Sequence, residues 1–181
     1  MKLLYLLLIG IFLVLLAIAF NFYLFSPQTF WLSLLTLSLW WFIVGIKINL
    51  KDKQKIKVGL ILGLTLALID LGMNYQGMIF ELYSITPTTF TILADPIELP
   101  FIAFFGGAAL SLFIPRKINW WYFVLATLVI SFVGATVEIF LNRYGVMTYY
   151  TVDYLDAFFT YALVFGVFFI LNYILLKKFK R

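Results

Sequence analysis

The sequence predicts an all-α membrane protein with six transmembrane helices and both termini on the cytoplasmic side. Three observations support this: 65% of the 181 residues are hydrophobic, only 12% are charged, and the apolar residues form six long stretches. Soluble domains contain about 25% charged residues, so this chain cannot cover a globular surface in water. The remaining apolar surface must therefore face lipid.

The six predicted spans are separated by segments rich in charge, Pro or Asn, and they pair into three helical hairpins of one membrane domain, residues 1–181. A bilayer core of about 30 Å needs about 20 apolar residues per helix, which sets the length of each span. The predicted spans are residues 3–24, 29–48, 58–79, 96–114, 120–141 and 154–176, and the hairpins are residues 3–48, 58–114 and 120–176.

The first apolar stretch also has features of a signal peptide, because Lys2 precedes it and Ala17-Ile18-Ala19 is a small-x-small sequence. The stretch is long for a signal peptide and no polar segment follows it. This favours an uncleaved first helix, and cleavage would leave five helices.

The basic residues are unevenly distributed across these spans. With six spans, all 13 Lys and Arg residues except Arg143 lie on the side that holds both termini. Lys and Arg are retained on the cytoplasmic side, so we expect both termini inside, in a multi-pass protein of the cell membrane. The net charge of +5 therefore requires no nucleic-acid partner.

The acidic residues have the opposite distribution, since Asp52 is the one acid of eight in a predicted cytoplasmic loop. Acidic residues contribute little to topology, so their outer position needs another reason. We interpret it as an outward-facing acidic pocket. The outer acids are Asp70, Glu81, Asp95, Glu98, Glu138, Asp153 and Asp156.

The chain has no Cys and no His. This composition excludes disulfides, thiol nucleophiles, Ser-His-Asp triads, haem ligation and conventional zinc sites. Chemistry here must use carboxylates, amides, hydroxyls and aromatic rings, and we expect no cofactor and no metal in an enzymatic site.

Two outward-running helices end in the same pattern: an acid, an Asn four residues later and a Gly three residues after that. The pattern occupies Asp70, Asn74 and Gly77 in one copy and Glu138, Asn142 and Gly145 in the other. Both copies run in the same direction, which predicts a parallel repeat with a shared outer pocket. The amino-terminal hairpin is interpreted as a diverged third copy, whose second helix opens at Ser26-Pro27-Gln28-Thr29.

Each of these residues also has a structural interpretation. Asp95, Pro96 and Glu98 match a helix start. Asp95 would be the N-cap and Pro96 the first helical residue, and the Glu98 carboxylate would accept a hydrogen bond from the N-cap N–H. Asp156 fits the same role. The two Gly residues fit helix C-caps and the two Asn residues fit turns. Aromatic residues at helix ends, such as Tyr149, fit an interfacial belt.

Two acids are harder to explain structurally, because they fall within predicted spans. Asp70 lies about 18 Å from the inner boundary near Val58, and Glu138 lies about 27 Å from Trp120. An ionisable residue inside a membrane is costly and is a functional candidate by default.

The segment from Thr65 to Phe105 resembles the membrane lycopene cyclase domain of carotenoid biosynthesis, the small type that occurs as paired subunits or as a fused chain. The resemblance rests on Asp70, Gly77, a Tyr-bearing loop, Pro96-Ile97-Glu98, Phe101 and Phe104-Phe105. It implies an intramolecular cyclisation of a lipophilic substrate taken from the membrane, with a partner membrane subunit or a homo-oligomer. Asp156 stands at the place of the motif acid in the second copy, where the motif Pro is absent, and Leu99 stands where a second acid commonly follows Glu98.

Polyene cyclisation fits the available side chains. A carboxyl protonates a terminal alkene, aromatic faces stabilise the carbocation, and a second carboxylate accepts a proton. The candidate catalytic residues are Asp70, Glu98, Glu138 and Asp156. The candidate substrate-binding residues are Asn74, Tyr83, Phe101, Asn142, Arg143 and Tyr144.

Two alternatives remain open. Six helices with an outward acidic pocket also resemble the substrate-capturing subunits of energy-coupling-factor vitamin transporters, whose ligand here would be a cationic vitamin or a metal ion bound by oxygen atoms. A structural or immunity-type membrane protein without a ligand is the other alternative.

Overall fold

The computed structural model describes residues 9–10, 12–13, 15–17, 19, 26–86, 88, 90–92, 95–116 and 119–179. Helices dominate these residues, which confirms the all-α class. The helices are α1 (Pro27–Ile48), α2 (Lys53–Ile79), α3 (Glu98–Phe113), α4 (Trp120–Arg143) and α5 (Tyr154–Lys178), and the short strands are β1 (Tyr83–Ile85), β2 (Thr91–Ile92), β3 (Asp95–Pro96) and β4 (Met147–Tyr149).

Part of the predicted first span is seen as helix, at residues 9–10, 12–13, 15–17 and 19. Its other residues lie outside the described part of the chain, as does Lys2 ahead of it.

Among the described residues, four helices are long and apolar enough to cross a membrane: α1, α2, α4 and α5, with 22, 27, 24 and 25 residues. They correspond to the second, third, fifth and sixth predicted spans. By length and composition these helices define a multi-pass membrane protein. The fourth predicted span, residues 96–114, contains α3, a shorter apolar helix of 16 residues.

The predicted start of α3 is wrong. The sequence predicts Asp95 as its cap and Pro96 as its first residue, whereas both residues form β3, which pairs with β2. The backbone N–H of Ile97 donates to the Phe90 carbonyl oxygen at 3.0 Å, and the helix begins at Glu98. Pro has no N–H for a ladder, so a short edge strand accommodates it.

The starts of α1 and α5 are held by reciprocal caps, and the cap of α5 agrees with the structural interpretation of Asp156. Ser26 Oγ accepts from the Thr29 N–H at 3.1 Å, and the Ser26 N–H donates to Thr29 Oγ1 at 2.9 Å. Asp153 Oδ1 accepts from the Asp156 N–H at 2.9 Å, and Asp156 Oδ2 accepts from the Asp153 N–H at 3.2 Å. Each cap satisfies backbone donors that a helix start leaves without partners.

The start of α2 lies earlier than predicted. The Lys55 N–H donates to Asp52 Oδ1 at 3.0 Å, which caps the helix. The helix therefore includes Lys53, Lys55 and Lys57, which the sequence places in the connecting segment.

The chain divides into two compact units. Unit 1 comprises Met1–Leu71 and Pro87–Ile114, and unit 2 comprises Gly72–Thr86 and Pro115–Arg181. The division falls within α2, between Leu71 and Gly72.

Within unit 1, small residues let helix backbones approach closely. Gly59 and Gly63 lie one turn apart on α2, and a Cβ added at Gly63 would lie 2.5 Å from the Phe104 carbonyl oxygen. At Gly59 it would lie 3.2 Å from the Ala108 carbonyl oxygen. This Gly-x-x-x-Gly contact is typical of packing between transmembrane helices. The hydrophobic effect does not drive helices together in lipid, so small residues stabilise the contact by allowing close van der Waals packing.

Within unit 2, α4 packs along α5 and the strands β1 and β4 pair as an antiparallel ladder. The Phe123 ring contacts the Phe169 ring at 5.9 Å between centroids. Gly134 faces the Tyr161 ring, and a Cβ there would lie 3.0 Å from it. The absence of a side chain at Gly134 therefore makes room for a tyrosine between the two helices.

Candidate functional site

The carboxyl group of Glu138 is the best-supported polar centre of unit 2. Glu138 lies on α4, half-buried, and its carboxyl group faces the hydroxyls of Tyr149 on β4 and Tyr161 on α5 as hydrogen-bond donors; the Tyr149 hydroxyl also lies 3.8 Å from Met147 Sδ. Hydrogen bonds to an ionised acceptor are about twice as strong as neutral ones. Two hydroxyl donors from separate elements thus fix one carboxyl group near the carboxyl-terminal end of the long apolar helix α4.

Tyr149 is perturbed by this arrangement. Burial, and next the negative charge of Glu138, raise the pKa of the Tyr149 hydroxyl above its ordinary value. The hydroxyl therefore keeps its proton and remains a donor to the carboxyl group.

Tyr83 extends the polar cluster towards the end of α2. Its hydroxyl lies 2.8 Å from Asn74 Oδ1 and 3.2 Å from the Met73 carbonyl oxygen. Asn74 is only 8% exposed, so this contact satisfies a buried amide oxygen. The Tyr83 ring lies against Gly77, where an added Cβ would overlap it.

The ladder between β1 and β4 brings the two tyrosines together. Tyr83 pairs with Tyr149, and the ring centroids are 5.8 Å apart. Opposite residues of an antiparallel pair share one face, so both side chains lie on the same side of the ladder. We call Asn74, Tyr83, Glu138, Tyr149 and Tyr161 the tyrosine cluster.

Glu98 is the buried acid of unit 1. It is 6% exposed at the first position of α3, and its Oε2 lies 3.3 Å from the Thr88 hydroxyl oxygen. The first turn of a helix favours a carboxylate, because its N–H groups and dipole are positive there. This position gives Glu98 a structural reason to be buried without removing it as a candidate acid.

An aromatic group follows Glu98 along α3. Phe101 is 48% exposed, and its ring stacks with that of Phe105 at 6.4 Å. Phe104 and Phe42 contact Phe105 at 5.1 Å and 5.4 Å. The Phe101 ring is therefore partly exposed on one side and packs against the Phe105 ring on the other. In the sequence it follows the buried acid Glu98.

The other predicted catalytic residues have different surroundings. Asp70 is half-buried on α2, one residue before the end of the unit 1 segment. Asp156 is exposed and takes part in the reciprocal cap of α5. The cap accounts for an acid at position 156 without a catalytic role.

Three predicted binding residues lie at the exposed end of α4. They are Asn142, Arg143 and Tyr144, and the Tyr144 side chain is 60% exposed. Arg143 is in the last turn, where a cation interacts favourably with the helix dipole.

The aligned residues of the two sequence copies have unlike environments. Asn74 is buried and bonded, whereas Asn142 is exposed. Gly145 has φ of +68° just beyond α4, as a C-terminal Gly does. Gly77 instead lies inside α2, so its predicted role as a C-cap is wrong, and Glu81 has the positive φ of 53° beyond that helix.

Two residues of the tyrosine cluster were not predicted as site residues. Tyr149 is at a helix-flanking position typical of the interfacial belt, and only the folded structure brings its hydroxyl to Glu138. Tyr161 carries a hydroxyl within an apolar span, which is the one sequence signal that could have indicated a polar partner.

A divalent-cation site would require several oxygen ligands close together. Within the described ranges, no group of three or more Asp, Glu, His or Cys residues is placed to hold a metal ion.

The fold and these sites define the class: an all-α, multi-pass membrane protein with a carboxyl group bound by tyrosines. No protein-family model, curated protein or solved structure matches the chain.

Proposed function

We propose that the chain is a membrane enzyme that cyclises an isoprenoid or polyene lipid by proton transfer, with Glu138 as its acid–base group. The observation that carries the proposal is the pair of hydroxyls, from Tyr149 and Tyr161, on the Glu138 carboxyl group. The two hydroxyl donors favour the ionised, proton-accepting form of this carboxyl group, and their aromatic rings lie beside it.

The proposed reaction is an isomerisation and needs no cofactor. A protonated carboxyl transfers its proton to one carbon of a terminal alkene and leaves a carbocation on the other. A neighbouring double bond attacks that carbon, which closes the ring and moves the positive charge. A carboxylate then removes a proton from the adjacent carbon, and the electron pair of that C–H bond forms the new double bond.

Aromatic rings support the same chemistry, and the lycopene cyclase resemblance adds a second candidate acid. Tyrosine and phenylalanine faces stabilise a cation through their quadrupoles without reacting with it. Glu98, with Phe101 and Phe105 on α3, is the motif acid of the lycopene cyclase resemblance and is a second candidate acid, which lies in unit 1. The resemblance also suggests a second membrane subunit, or a second copy of this chain, as the partner.

The proposed topology has six spans, both termini in the cytoplasm and the chain in the cell membrane. Four long apolar helices and the charge asymmetry of the sequence support it. Because the chain has no Cys, single cysteines can be introduced and labelled from one side of intact cells. Labelling of Lys51→Cys from outside, or protection of Tyr144→Cys, would contradict this topology.

Expression in cells that accumulate lycopene tests the enzymatic proposal. We expect a cyclised product with the wild-type chain, and its loss in Glu138→Gln. The matched control is Glu81→Gln, because Glu81 is an exposed acid outside the cluster. Unchanged lycopene in cells that contain folded wild-type protein would exclude the reaction on this substrate.

A further inference from the structure

We propose that a cavity in unit 1, separate from the tyrosine cluster, binds one hydrocarbon chain of a membrane phospholipid. The cavity is an open groove between α1 and α3 with a volume of about 320 Å³, within the range of small-molecule sites. Its walls are Ser38, Trp41, Gly106, Ala109, Leu110 and Phe113.

The residues that line the cavity favour an apolar ligand. The Ser38 hydroxyl donates to the Leu35 carbonyl oxygen at 2.9 Å, so its proton is used within α1. The Trp41 and Phe113 rings form an edge-to-face pair at 5.8 Å, and the remaining walls are small or aliphatic. The groove therefore offers few of the two to four polar partners that an ordered water needs, and it suits an apolar ligand.

The depth of the cavity selects a lipid chain. Ser38 lies near the middle of the 22-residue α1, about 17 Å along the helix from Pro27. A group at this depth of a membrane span meets hydrocarbon, not headgroups. A peptide occupant without secondary structure would bring backbone polar groups into an apolar cavity, which is costly.

Gly106 keeps the cavity open. A Cβ added there meets no heavy atom within 4 Å, although the residue lines the cavity. A large side chain at this position would therefore enter the cavity without striking a neighbour at its Cβ. Gly166 on α5 is also open in this sense and offers a control outside the cavity.

The test places the photo-crosslinker p-benzoylphenylalanine at Ser38 in the full chain, which is purified in detergent, irradiated and weighed by intact mass spectrometry. We expect an adduct of one phospholipid, because a chain held in the cavity survives extraction. The same crosslinker at Leu163, which is 70% exposed on α5, should capture detergent only, because bulk lipid exchanges there.

The second experiment fills the cavity with a large side chain. Gly106→Phe should abolish the phospholipid adduct at position 38, and Gly166→Phe should leave it unchanged. The adduct at position 38 is measured in a chain with both glycines intact, so it decides the proposal even if Gly106→Phe fails to fold. Glu138→Gln should also keep the adduct, which separates this proposal from the enzymatic one.

Three results would overturn the proposal. Detergent alone at position 38 would mean that the cavity holds no lipid. An intrachain crosslink to residues 9–19 would mean that the first span occupies it. A crosslinked dimer would mean that a second copy of the chain fills it.

Discussion

Tyr83 and Tyr149 lie opposite each other in the ladder between β1 and β4, with their ring centroids 5.8 Å apart. The Tyr83 hydroxyl binds Asn74, and the Tyr149 hydroxyl binds Glu138. A ladder of three residue pairs therefore links the last turns of α2 to α4 within unit 2, and it places the Glu138 carboxyl group relative to its donors.

The contact between Glu138 and Tyr149 should be measurable as a coupling free energy. Glu138→Gln and Tyr149→Phe should each lower the free energy of unfolding by about 1–3 kcal/mol, since each weakens a partly buried hydrogen bond. Because the residues share that bond, we expect the double variant to lose about 1 kcal/mol less than the sum. Denaturation of the purified protein in detergent measures all three values, and strict additivity would contradict the contact.

The contact between Tyr83 and Asn74 should also contribute to stability. Tyr83→Phe removes the hydroxyl donor and leaves a buried amide oxygen short of a partner, at a cost of about 1–3 kcal/mol. The control is Tyr75→Phe, because Tyr75 lies on the same helix and is 46% exposed. An equal thermal shift in both variants would contradict a specific role for the Tyr83 hydroxyl.

The close approach of α2 and α3 should not tolerate a methyl group. Gly63→Ala places a Cβ 2.5 Å from the Phe104 carbonyl oxygen, and neither backbone can move freely. We expect overpacking to destabilise unit 1 by about 1–3 kcal/mol. On the same helix, a Cβ at Gly72 meets nothing within 4 Å, so Gly72→Ala should stabilise by up to about 1 kcal/mol. Thermal unfolding should shift in opposite directions, and a shift in the same direction would contradict the packing.

The cap of α5 separates structural from catalytic acids. Asp153→Ala should destabilise by about 0.5–2 kcal/mol, because it leaves the Asp156 N–H without its side-chain acceptor. Asp156→Asn retains an oxygen acceptor and should change stability by less. If Asp156 only caps the helix, product formation should persist in Asp156→Asn cells, and its loss in a folded variant would assign Asp156 a catalytic role.

Alkaline pH should destabilise unit 2 through Tyr149. The folded state holds this proton more tightly than the unfolded chain, where tyrosine titrates near a pKa of about 10. The stabilising contribution is therefore complete below about pH 10 and declines as the pH rises towards the raised pKa. Unfolding measured between neutral and strongly alkaline pH should show a smaller alkaline loss in Tyr149→Phe than in Tyr150→Phe, whose ring is 61% exposed.

The sequence alone determined the class and most helix positions. Apolar length is a local property, so four spans were located to within a few residues at their ends. Local capping chemistry is also readable, as at Asp156 in the start of α5. It failed at Asp95 and Pro96, because a strand pairing competed with the helix start.

Tertiary structure alone decided which polar residues meet. Asn74 and Asn142 occupy the same place in the sequence repeat, but only Asn74 is buried under a tyrosine. Glu138 was a candidate from its depth, yet Tyr149 and Tyr161 are 11 and 23 positions away in the chain. Their hydroxyls reach it because β1 pairs with β4 and because Gly134 makes room between α4 and α5. Such contacts depend on register and packing between distant segments, which no local pattern in one sequence specifies.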